Sequence, residues 1–226
     1  MDNALFLRTT LQSTLQAARW AWFVARRRVD VRLSRTKRRF VEPPLPKNAD
    51  GRVLLHLGCG FIDSPAFTNV DAESLAHVHY RQDVRDLSSF DDDSVDLVYA
   101  CHLLEHIAPN DQPKVLWEWR RVLKPGGVLR LSVPDFELLV QIYRDCDNDV
   151  QSIVGPLLGA HGGLNAHCAI FNREYLERTL REAGFRDVRP WDPKTAGDHD
   201  FEDWASRTIE RGGRQREVSL NLEGVK

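Results

Sequence analysis

No Cys-x-x-Cys pair occurs in this sequence: the four cysteines stand at positions 59, 101, 146 and 168. That absence excludes both a zinc ribbon and a disulfide scaffold, and reduced thiols point to a cytoplasmic compartment. Long apolar runs are missing too. No stretch approaches the roughly 20 residues needed to cross a bilayer. The N-terminus lacks the charged, apolar, small order of a signal peptide, so the chain is expected to stay inside the cell. An excess of one charge is also lacking, since 31 Lys and Arg meet 33 Asp and Glu for a net charge of -2. The distribution is uneven, however: residues 1–40 hold ten Arg or Lys against Asp2 and Asp30, which leaves the remainder acidic. An acidic body makes nucleic acid an unlikely partner, because phosphate contacts need a basic surface. With 226 residues, 42% of them hydrophobic, and six tryptophans, one full core is available and little remains for a second.

The most informative segment is Val53-Leu54-Leu55-His56-Leu57-Gly58-Cys59-Gly60, followed by Asn69-Val70-Asp71. It puts a glycine turn and a carboxylate at the ends of neighbouring strands. Glycines leaving a strand let a ligand lie directly against the main chain, and Asp71 can then accept both hydroxyls of a ribose. A dinucleotide fold would require a third glycine three residues on and an acid about twenty residues away. The third position is Asp63 and Asp71 comes too soon, so that fold is excluded.

From residue 52 onward apolar strands alternate with helical patterns, as in a doubly wound, mostly parallel α/β sheet. Strands are expected at 53–57, 67–71, 78–82, 95–101, 127–133, 186–190 and 216–223, and helices at 111–123, 136–146 and 172–183. Pro125-Gly126-Gly127 is read as the stop of the first of these helices. Asn172 is read as the cap of the last helix and Gly184 as its terminator. Only about nine residues separate the first two strands, too few for an ordinary helical crossover, so the first helix is expected to be nearly absent.

Ahead of the sheet, Leu11, Leu15, Ala18, Trp22, Ala25 and Val29 recur at helical spacing, with Trp20, Trp22 and Phe23 close to Arg26-Arg27-Arg28. This N-terminal amphipathic helix suits peripheral contact with the inner membrane face, or packing on the domain or on a second copy of it. The proline-rich Val41-Glu42-Pro43-Pro44-Leu45-Pro46 cannot be helical. Residues 1–46 are therefore read as arm and linker, and 47–226 as one domain.

Further motifs follow in order: Gln82-Asp83-Val84, then Ser94-Val95-Asp96-Leu97-Val98-Tyr99-Ala100-Cys101-His102-Leu103-Leu104-Glu105-His106, then Arg121-Val122-Leu123-Lys124-Pro125-Gly126-Gly127. In this order the chain resembles the class I S-adenosylmethionine-dependent methyltransferases over residues 51–136, with a weaker echo at 176–188. The resemblance implies a Rossmann-like seven-stranded sheet, its last strand antiparallel, and S-adenosylmethionine as cofactor. It implies that Leu57, Gly58, Cys59 and Gly60 approach the methionine portion, Asp71 the ribose, Asp83 the adenine amino group and the Val84 amide the ring. Ala100, Cys101 and His102 would line the amino-acid end. Val133-Pro134-Asp135-Phe136 and the short first crossover resemble a subgroup found with polysaccharide and glycolipid biosynthesis, which implies a sugar hydroxyl as acceptor. Other readings are a methyltransferase of protein or RNA, and a scaffold of the same fold that holds the nucleoside without turnover.

A hydroxyl acceptor must lose its proton as it attacks, which calls for a base. His102, Glu105 and His106 are spaced to share a helical face at the mouth of the crevice, so His102 and His106 are candidates. Residues 134–170 exceed what one helix needs and supply a second pool, His161, Asn165 and His167. His-x-x-Glu-His also matches a zinc-protease pattern, but the sequence offers no evident third ligand and no metal is assigned.

Overall fold

The computed structural model describes residues 29, 31–38, 40–159 and 166–226. Apart from Val29, the amphipathic arm face and the Arg26-Arg27-Arg28 cluster lie outside the described residues, as do His161 and Asn165. Contacts divide the chain into Met1–Pro43 with Ser74–His77, and Pro44–Glu73 with Val78–Lys226. In the smaller unit residues 31–38 are helical, and the Ala76 amide donates to Ser34 Oγ at 2.7 Å. No helix among the described residues is long and apolar enough to cross a membrane.

The larger unit is built on a seven-stranded sheet. Its strands are β1 (Leu54–Leu57), β2 (Thr68–Asp71), β3 (Tyr80–Arg81), β4 (Val95–Cys101), β5 (Leu123–Pro134), β6 (Arg186–Pro190) and β9 (Ser219–Val225), in the order β3-β2-β1-β4-β5-β9-β6. β9 runs antiparallel to both neighbours, and the remaining pairs are parallel. The winding reverses between β1 and β4, and such a switch point opens a crevice at the strands' carboxyl ends.

Among the described residues four α-helices accompany the sheet: α1 (Gln112–Val122), α2 (Phe136–Asp145), α3 (Val154–Leu158) and α4 (Arg173–Glu182). The Asp135 side chain caps α2 by accepting from Glu137 N at 3.0 Å, and Asn172 caps α4 by accepting from Tyr175 N at 3.0 Å. One sheet face packs Leu55, Leu57, Val98, Leu129 and Leu131 against Val115, Leu116, Trp119 and Val122 of α1 and Leu176 and Leu180 of α4. On the other face Leu54, Phe67, Leu97 and Tyr99 meet Trp191, Ala205 and Phe201. The link from β1 to β2 holds turns and no helix, as expected, and this second face is covered by irregular chain.

Several expectations need correction. Helix α1 ends at Val122, before the Pro-Gly-Gly turn: Leu123 is already extended and pairs with Val95, and the register then jumps to Leu97 with Val128. The Pro-Gly-Gly segment is therefore an irregularity inside β5, with Gly126 at φ +82°. Strand β3 keeps only Tyr80–Arg81 because it is an edge strand, although His79 N to Asn69 O and Gln82 N to Asp71 O extend the ladder at 3.0 and 3.1 Å. A hairpin of β7 (Thr208–Arg211) and β8 (Arg214–Glu217) was not expected; the notional last strand had absorbed its final residues. Gly212 and Gly213, at φ +57° and +70°, form its two-residue turn, a signal the surrounding arginines obscured.

The second face also contains a buried polar cluster. Asp203, 5% exposed, accepts from the Tyr99 hydroxyl and from Ala205 N at 2.9 Å, with His199 Nε2 at 3.4 Å. Burial alone would raise the Asp203 carboxyl, but bonds from His199 and Tyr99 outweigh it and hold the pKa below the usual range. A depressed carboxylate stabilises the fold above its unfolded pKa of about 3.9 and loses that contribution as pH falls through the lower folded value. Asp203→Asn is expected to cost about 1–3 kcal/mol at pH 7, because buried donors lose a charged partner. Urea midpoints should then fall less steeply for the variant than for the parent as pH drops below about 4.

Candidate active site

The carboxyl ends of β1, β2 and β4 meet at the switch point. Gly58 leaves β1 at φ +62° and donates to Val70 O at 2.8 Å, and Gly60 follows at φ +54°. A Cβ on Gly58 would stand 2.8 Å from the Leu103 side chain, so Leu103 closes over the turn only because the position is glycine. A Cβ on Gly60 would meet nothing among the described residues within 4 Å. Asp71, 9% exposed, accepts from Gly60 N at 2.8 Å and from Glu73 N at 2.7 Å. The carboxylate of β2 thus fixes the turn of β1. Leu57 and Cys59 are buried beneath it, and burial, with the charge of Asp71, pushes the Cys59 thiol well up and leaves it a packing group.

Asp83 lies beyond the end of β3, where its oxygens accept from Arg85 Nε at 3.0 and 2.9 Å and its pKa is lowered by that guanidinium. The carbonyl of Val84 accepts from Trp119 Nε1 at 2.8 Å, which ties this loop to the core of α1. Ala100 and Cys101 close β4, and burial pushes the Cys101 thiol well up.

At His102 the chain turns sharply. Its φ of +49° is uncommon outside glycine, and backbone strain of this kind tends to occur at functional sites. The expected helical face is therefore incorrect: Leu104–His106 is a single 3-10 turn, and His102 stands outside it. His102 and Glu105 still meet, with His102 Nδ1 3.4 Å from Glu105 Oε1. The Ser219 hydroxyl donates to Trp204 O at 2.7 Å, so it must accept from His102 Nε2 at 2.8 Å, which leaves Nδ1 with its lone pair.

Glu105 is fully buried, and neither carboxyl oxygen has a hydrogen-bond partner. Burial pushes its pKa up to about 8. His102 is pushed down to about 3 by burial and then by His167, so at neutral pH this contact is between two uncharged groups. His106 Nδ1 donates to Ala166 O at 3.1 Å. The returning segment is stitched to the same turn, because Cys168 N and Ala169 N both donate to Glu105 O, at 2.7 and 3.1 Å. That places His167 Nε2 3.9 Å from Glu105 Oε1 and its ring edge-on to His106 with centroids 4.9 Å apart. Burial, and then His106, lowers the pKa of His167. Three candidate histidines therefore converge on one carboxyl. Sequence reasoning missed Ser219 and Trp204, more than a hundred residues from His102. The one available hint at Glu105 was a lone acid inside the apolar run Leu103-Leu104-Glu105-His106-Ile107.

Known proteins resemble this chain in sequence and in fold. A family model described as a methyltransferase domain matches residues 55–131. A 42-residue segment is 48% identical to a probable methyltransferase from Aspergillus luteorubrus, covering 18% of this chain and only 15% of that protein. Among solved structures, an S-adenosylmethionine-dependent methyltransferase from Archaeoglobus fulgidus is similar with a TM-score of 0.50 and 17% identity, over 77% of this chain and 86% of that one. Another, described as a possible histamine N-methyltransferase from Thermotoga maritima, gives 0.49 and 18% over 92% and 97%. Residues 55–131 thus match a methyltransferase domain, and the chain shares its fold with an S-adenosylmethionine-dependent methyltransferase, which supports an enzyme that uses that cofactor. The glycine turn and the carboxylate anchored beside it suit that cofactor.

Proposed function

We propose that the protein transfers the methyl group of S-adenosylmethionine to a hydroxyl of a sugar or glycolipid intermediate. The observation that carries the reading is the pairing of Asp71 with Gly60 N, which sets a carboxylate of β2 against the glycine turn of β1. Leu57, Gly58, Cys59 and Gly60 take the methionine portion and Asp71 the ribose. Asp83 and the Val84 amide take the adenine, and Ala100, Cys101 and His102 the amino-acid end. When bound, the cofactor supplies an electrophilic methyl carbon whose bond to sulfur breaks as the acceptor oxygen bonds to it. The chain's task is to hold that oxygen in line, at near-attack distance, and to receive its proton. His102, His106, His161 and His167 are the candidate proton acceptors. A cavity of about 350 Å³ supports a polar acceptor: it shares Ser219 with the His102 contact and is lined by Lys194, Arg207, Glu217 and Asn221. The basic arm, residues 1–40, provides peripheral contact with the inner membrane face or self-association.

Incubating the full chain with methyl-tritiated S-adenosylmethionine and fractionated host extract tests the reading. Label is expected in the glycolipid or polysaccharide fraction. Label confined to protein or RNA would overturn the acceptor, and binding of the cofactor without transfer to any fraction would leave a nucleoside-holding scaffold.

A further inference from the structure

Glu105, His106 and His167 each offer a ligand atom, and these atoms lie within 4.8 Å of one another. Two features separate this trio from a chance cluster. First, the Glu105 carboxyl is wholly buried, and among the described residues neither oxygen has a hydrogen-bond partner, with His102 Nδ1 standing 3.4 Å from Oε1. A buried acid without donors is costly, and a cation is the partner that would satisfy it. Second, the imidazoles are already oriented: His106 Nδ1 bonds to the Ala166 carbonyl, so its Nε2 carries the lone pair, and His167 directs Nε2 toward Glu105. A ligand histidine whose other nitrogen is held by a main-chain carbonyl is the usual outer support of a metal site. The backbone bonds from Cys168 and Ala169 to Glu105 O hold the two halves together.

We propose that Glu105, His106 and His167 bind one divalent transition-metal cation at the carboxyl edge of the sheet. Glu105 releases its proton to water as the cation binds, and the resulting set of two imidazoles and one carboxylate suits zinc or ferrous iron and leaves coordination positions open; a set chosen for magnesium or calcium would be all oxygen. With metal–nitrogen bonds of about 2.0–2.1 Å the ligand atoms must draw inward from their present spacing, a movement that side-chain rotation can supply. The turn that carries Glu105 follows Leu103, which covers Gly58, so the site neighbours the donor cradle. Resting on the methyl-transfer reading, the open positions would hold the acceptor's oxygen and lower its pKa so that its proton passes to water; His106 and His167, with their lone pairs on the metal, then serve as ligands and not as proton acceptors.

The test is direct metal binding by the full chain after chelator treatment, using Co²⁺ as a visible probe with Zn²⁺ in competition. One Co²⁺ per chain is expected, with visible absorption bands that Zn²⁺ abolishes. Glu105→Gln and His167→Ala should each weaken it by about tenfold or more. Calorimetry with S-adenosylmethionine on the same variants shows whether each is folded, because the donor cradle contains neither residue. Failure of Co²⁺ to bind, or binding unchanged in both variants, would overturn the site, even if donor binding and methyl transfer are intact. Co²⁺ binding in a chain that binds no donor would instead refute the methyl-transfer reading and leave the site standing.

Discussion

Asp71→Ala is expected to weaken S-adenosylmethionine binding by about 2–4 kcal/mol, roughly 30- to 1000-fold, the usual worth of two charge-assisted hydrogen bonds. The carboxylate has a second task that compounds the loss. It accepts the amides of Gly60 and Glu73, so its removal frees the glycine turn of β1 as well as deleting the proposed contact to the ribose. Asp71→Asn separates the two effects. One oxygen remains to serve one amide, but the new amide nitrogen faces an N–H and repels it, so an intermediate loss is expected. Calorimetry on variants whose unfolding remains cooperative measures both. Unchanged affinity in Asp71→Ala would place the ribose elsewhere and remove the basis for reading Gly58 and Gly60 as its neighbours.

The parts of this molecule legible in the sequence are those determined by nearby residues. Gly58, Gly60 and Asp71 sit within fourteen positions and share a strand-turn-strand unit, so their spacing predicts their meeting. Asp135 and Asn172 cap helices through bonds to amides two and three residues on, and both helix starts could be read to within a residue. Asp83 is a partial case: Arg85 takes up its carboxylate through an equally local turn. What the sequence hid is non-local. Glu105 and His167 are joined by main-chain bonds across sixty residues, and no period connects them. His102 shows the opposite failure, in which a helical spacing was present but the backbone reversed at a positive φ before any helix could start. The Tyr99, His199 and Asp203 cluster likewise depends on which chain segment covers the second sheet face, and that follows from the missing first helix.

Trp119→Ala should produce the largest loss of stability, about 3–5 kcal/mol, because it removes a wholly buried aromatic from the centre of the main core. The spacing of α1 explains the position: Val115, Leu116, Trp119 and Val122 line one face, and that face meets β1, β4 and β5. In a chain of this length the change corresponds to a fall in melting temperature of roughly 6–20 °C. Bulk is only part of its contribution, since Trp119 Nε1 donates to the carbonyl of Val84, next to Asp83. Trp119→Phe keeps most of the apolar surface and deletes that bond, so about 1–2 kcal/mol is expected for it. The two variants should therefore differ in kind. If the indole bond positions the adenine end of the cradle, Trp119→Phe will raise the dissociation constant for S-adenosylmethionine several-fold while most of the stability survives. A Phe variant with the parent's affinity would reduce Trp119 to packing and would detach the Asp83-Val84 loop from the proposed cofactor site.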